Sequence, residues 1–73
     1  MIRLKFERTN RGISQLRLAR AAALVQPAVS LIENGRLVPT PAELARLAAV
    51  FGVAPSELMK DVAVLGPSRA VPQ

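Results

Sequence analysis

The fold turns on one stretch: Gly12-Ile13-Ser14-Gln15-Leu16-Arg17-Leu18-Ala19, followed after six intervening residues by Gln26-Pro27-Ala28-Val29-Ser30-Leu31-Ile32-Glu33-Asn34-Gly35. Ser14 is a strong N-cap, because its hydroxyl accepts a hydrogen bond from an amide two or three residues on. With Leu18 and Ala22 at i, i+4, the spacing predicts a short helix over 14–22. A second helix begins near Pro27, which has no amide hydrogen, suits a first turn and pushes Gln26 away from the αR region. Gln26 or Val25 is therefore the entry residue. Val29 and Ile32 then face inward, three apart, and Asn34-Gly35 closes the helix.

Working outward toward the N-terminus, residues 2–10 form a helix with Ile2 and Phe6 four apart, ended by Asn10-Arg11-Gly12. In the other direction, 36–40 is a loop. Thr40-Pro41-Ala42-Glu43 then combines a threonine cap, proline in the first turn and the glutamate of a capping box. Leu44, Leu47, Ala48 and Phe51 make an apolar stripe that Gly52 stops. Pro55 opens a last short helix with Leu58 and Val62, and 62–65 is open between a strand and a helix end. Gly66, Pro67, Ser68 and Pro72 mark 66–73 as a fraying tail, which leaves one domain over 1–65.

A chain of 73 residues supports one small domain and buries only about 60% of its unfolded surface. Apolar residues make up 51% but aromatics 3%, so the core is aliphatic, built from 12 Ala, 10 Leu, 8 Val and 3 Ile, a mixture that favours helix. Cys, His, Tyr and Trp are all missing. That removes disulfides, thiolate and imidazole metal sites, the commonest general base and the Cys, His and Tyr nucleophiles. The five carboxylates are spaced 26, 10, 14 and 4 apart, and only Glu57 and Asp61 fit one helical face, as surface charge. No enzyme, cofactor or metal is expected.

No apolar run is longer than five residues, the length of Ala21 to Val25, against the roughly 20 that a bilayer span needs. The expectation is a cytoplasmic protein. Net charge is +5, and all of it lies in residues 1–36, where seven cations face Glu7 and Glu33. A polyanion is the partner such an asymmetry suggests.

Gly12-Ile13-Ser14-Gln15, Leu18-Ala19, Val29-Ser30, Ile32-Glu33-Asn34-Gly35-Arg36, Pro39, Leu47-Ala48 and Phe51-Gly52-Val53 resemble, in order and spacing over about 2–60, the phage repressor and Cro-like (xenobiotic-response-element) helix-turn-helix family. The resemblance implies an all-α, five-helix lambda-repressor-like domain. The third helix would lie in the major groove of double-stranded DNA and the second would cross above it. It also implies a DNA-facing set of Arg11, Ser14, Gln15, Arg17, Arg20, Gln26, Pro27, Ala28, Ser30, Leu31, Asn34 and Arg36.

Within that set Gln15 serves a phosphate, and Gln26, with donor and acceptor together, suits adenine. Pro27, Ala28 and Leu31 offer only apolar contact, as with a thymine methyl. Ser30 either reaches DNA or bonds back to its own helix. Asn34 and Arg36 fall at phosphate positions, and Arg11, Arg17 and Arg20 act collectively as cations. Arg8 and Glu33 match an internal ion pair that orients the reading helix.

Two residues depart from the family pattern: Ala23 stands where glycine is usual, and Val25 where a serine or threonine cap is usual. Either the turn takes another backbone, or Gln26 supplies the cap. Dimerisation is expected through Val53, Met59, Val62, Val64 and Leu65, giving a homodimeric repressor on a two-fold operator. A competing reading is an antitoxin-like or accessory module whose main ligand is a protein, such as a toxin or antirepressor. A membrane-surface peptide fits less well, because the cations are spread over three helices.

Overall fold

A computed structural model describes residues 1–62 as five helices: α1 (Arg3–Asn10), α2 (Gln15–Ala21), α3 (Gln26–Glu33), α4 (Pro41–Phe51) and α5 (Pro55–Leu58). Val64, Leu65 and the tail assigned to 66–73 lie outside the described residues. The all-α expectation holds in number and order of helices.

The caps follow from the sequence. Ser14 Oγ accepts from the Arg17 amide at 3.1 Å. Thr40 and Glu43 close a reciprocal capping box, the Thr40 amide donating to Glu43 Oε1 at 2.9 Å and the Glu43 amide to Thr40 Oγ1 at 3.2 Å. Leu4, Leu18, Val29, Ile32, Leu47 and Leu58 are fully buried, with Ala19, Ala22, Ala48 and Phe51 beside them. Burying each larger aliphatic side chain contributes about 1.5–3 kcal/mol. α2 packs on α3 and α4, and α5 on α4 and α1.

Both ends of the described stretch differ from the sequence expectation. In α1 the core position belongs to Leu4, while Phe6 is 38% exposed. Glu7, on the same side as Leu4, is buried between Arg3 at 2.8 Å and Arg11 at 3.2 Å, so the inward face of α1 runs through Leu4 and Glu7 and not through Phe6, while Ile2, just before the helix, is half-buried against the core. α5 stops at Leu58 and does not reach Val62. The Val62 amide instead donates to the Met1 carbonyl at 2.8 Å, and the Arg3 amide to the Lys60 carbonyl at 2.7 Å, with Ile2 and Asp61 as an antiparallel bridge. Asp61 therefore lies off the helix that carries Glu57.

Candidate nucleic-acid interface

α1, α2 and α3 end alike. After each, the second residue past the cap donates back to the helix, Ile13 to Arg8 at 3.1 Å, Leu24 to Ala19 at 2.8 Å and Arg36 to Leu31 at 2.8 Å, while the residue between them turns left-handed. This is the Schellman closure, in which glycine carries no steric cost. Gly12 and Gly35 serve α1 and α3, but α2 uses Ala23 at φ 57. The turn therefore keeps the glycine-type backbone, and Ala23 carries the strain. Gln26 does not cap: Val25 is the N-cap of α3, with no side-chain cap bond, and Gln26 is the first helical residue.

Arg46, which no motif in the sequence marks, reaches from α4 to donate from Nε to the Ala22 carbonyl at 2.7 Å, on the residue before the strained alanine. A cation at a helix C-terminus also suits the helix dipole. Periodicity cannot single Arg46 out, since the bond joins residues 24 apart through folding. Replacing Ala23 by glycine is expected to stabilise the domain by about 1 kcal/mol, because the exposed alanine loses a left-handed penalty and no packing. Chemical denaturation measures this, and an unchanged or lower midpoint would count against strain at Ala23.

From the turn, a line of polar side chains runs through the two helix starts. Arg8 donates from Nε to Glu33 Oε2 at 2.6 Å, from Nη2 to Glu33 Oε1 at 3.0 Å and from Nη1 to the Ile13 carbonyl at 2.8 Å. Only 1% of the Glu33 side chain is exposed and 12% of that of Arg8. Gln15 Nε2 donates to Glu33 Oε1 at 3.0 Å, and Gln26 Nε2 donates to Gln15 Oε1 at 2.7 Å. A carboxylate only accepts, so Glu33 sets the direction of both amides. Gln15 turns its nitrogen inward and its oxygen to Gln26. Gln26 is left with its carbonyl oxygen and one N–H.

The cations separate into two groups. Arg3, Arg8 and Arg11 are engaged by Glu7 and Glu33. Arg11 also donates to the Phe51 carbonyl at 3.3 Å and lies 4.9 Å over the Phe51 ring, which ties α1 to the end of α4. Arg17, Arg20 and Arg36 are exposed and, like Lys5, make no ion pair among the described residues. Asn34 is exposed, and the Ser30 hydroxyl makes no bond back to its helix among the described residues. Pro27 and Leu31 are exposed, and Ala28 is half-buried.

The expected dimer residues Val53 and Met59 are half-buried against this chain's own core, and Val62 is half-buried at the terminal bridge. Among the described residues the most exposed of the larger apolar side chains are Val38 at 85% and Val25 at 66%. Among the described residues no helix is long and apolar enough to cross a membrane.

Two short helices closed by a tight turn, with their first residues bonded to each other and the second helix exposing its outer face, define a helix-turn-helix, a DNA-binding class of regulator. The chain belongs to the helix-turn-helix domain family, whose pattern matches residues 2–60. Comparison with curated proteins and with solved structures gave no significant match.

Proposed function

We propose that this protein is a transcriptional repressor that binds a two-fold operator in double-stranded DNA as a homodimer, reads it with α3 and catalyses no reaction. The observation that carries the reading is the bonded series Arg8, Glu33, Gln15, Gln26, which leaves the first residue of α3 one N–H donor and a carbonyl acceptor uncommitted. That pair of groups complements N7 and N6 of adenine in the major groove. The second N–H of Gln15, with Ser14, Asn34, Arg17, Arg20 and Arg36 around α3, supplies phosphate contacts that set register. Dimerisation through Val53, Met59, Val62, Val64 and Leu65 would space two copies of α3 about 34 Å apart.

Electrophoretic mobility of the fragment upstream of its own gene tests this. A salt-sensitive, competitor-resistant shift at submicromolar protein is expected, with a footprint covering two half-sites. Gln26→Ala is expected to weaken the specific complex by about 1–3 kcal/mol and to relax preference at one base pair per half-site. Exposed Leu31, Leu37 and Val38 support the alternative of a module whose main ligand is a protein. Absence of any competitor-resistant shift, together with a toxin or antirepressor bound in solution, would replace the repressor reading with that one.

A further inference from the structure

The outer face of α3 offers a partner little hydrogen-bonding chemistry. Val29, Ile32 and Glu33 turn inward, which leaves Gln26, Pro27, Ala28, Ser30 and Leu31, led in by Val25. Pro27 and Leu31 stand four apart and Ala28 three from Leu31, so the three share one strip of the helix. Leu31 is 43% exposed. Glu33, the one charged residue of the helix, is held by Arg8, and Gln26 has an N–H committed to Gln15.

In the major groove, base edges present donors and acceptors, with one apolar exception. C5 of a pyrimidine carries a methyl group in thymine and hydrogen in cytosine. An aliphatic side chain pressed on N7, O6 or N4 takes water from a polar group and returns no bond. Pressed on a methyl, it buries apolar surface on both partners. Such a strip distinguishes base pairs by whether a C5-methyl is present.

Resting on the reading of α3 as the helix that enters the major groove, we propose that Pro27, Ala28 and Leu31 read pyrimidine C5-methyl groups. The protein then selects thymine over cytosine beside Gln26, and 5-methylcytosine over cytosine at the same positions. Binding is thereby responsive to cytosine methylation of its site, and Leu31 is the main contact.

The test begins with duplexes enriched from a randomised pool by the full chain. In the tightest binder each thymine is replaced in turn by deoxyuridine, which removes the methyl and nothing else. Affinity is expected to fall about fourfold where a methyl is read, the equivalent of one buried methyl group. At the same positions 5-methylcytosine is expected to bind more tightly than cytosine. Leu31→Ala, an exposed change whose thermal melt checks folding, is expected to abolish the deoxyuridine effect at one position per half-site. Deoxyuridine substitution that is neutral throughout, or an effect unchanged in Leu31→Ala, overturns methyl reading while DNA recognition by α3 stands. Failure to enrich any duplex overturns both.

Discussion

Glu33→Ala is expected to lower the unfolding free energy by about 3–5 kcal/mol, because it leaves the Arg8 guanidinium inside the protein without its counter-charge. The change removes two Arg8 bonds and the one from Gln15. Set against a total stability of roughly 4–11 kcal/mol for a domain of this size, that is a large fraction, and the thermal midpoint should drop by more than about 10 °C. A drop within about 3 °C would sink the argument that the pair is buried. Arg8→Met combined with Glu33→Leu separates the two roles of the network. Apolar replacement of both partners restores most of the stability, yet nothing then directs Gln15 and Gln26, so affinity for the specific duplex stays low. A double variant that folds and binds like the parent would show that Glu33 does not orient the reading side chain.

The second large effect concerns salt. Replacing Arg17, Arg20 and Arg36 together by glutamine should weaken specific and non-specific duplexes alike and flatten the dependence of log affinity on log salt by about 2.7 per protomer, at about 0.9 for each phosphate no longer neutralised. These are exposed side chains without an ion-pair partner among the described residues, so folding should be little changed. Arg11→Gln is the contrasting variant. Its guanidinium is committed to Glu7 and Phe51, so the melting temperature should fall while the salt slope stays near that of the parent. An equal flattening by Arg11→Gln would place that side chain on phosphate.

Apolar spacing and caps are enough to find α2, α3 and α4, since Leu18 and Ala22, Val29 and Ile32, and Leu44, Leu47 and Phe51 each stand at helical intervals and Ser14 and Thr40 state where helices begin. Arg8 and Glu33 are legible only through family resemblance, because 25 residues separate them and neither is apolar. In α1 the sequence misleads: Leu4 and Phe6 are both apolar, and the choice between them depends on where α5 docks. The pairing of Ile2 with Asp61 has no local signal, as bridge partners so far apart in sequence meet only after the helices have packed. At Ala23 the residue type speaks against the conformation it takes, and the tertiary bond from Arg46 to Ala22 lies where that conformation must be held.

The bonded series through Gln15 also bears on how such a protein can change targets over generations. Gln15 bonds the buried Glu33 carboxylate and Gln26 bonds Gln15, so a substitution at either removes a bond inside the protein as well as a group that faces a partner. The side chains of Pro27 and Leu31 are exposed and cannot form hydrogen bonds. Exposed substitutions of that kind usually alter stability by less than about 0.5 kcal/mol. On the proposed reading of α3 as the helix that enters the major groove, divergence between copies of the gene therefore has its more open route through these two positions, and two descendants could acquire different operators while sharing one scaffold.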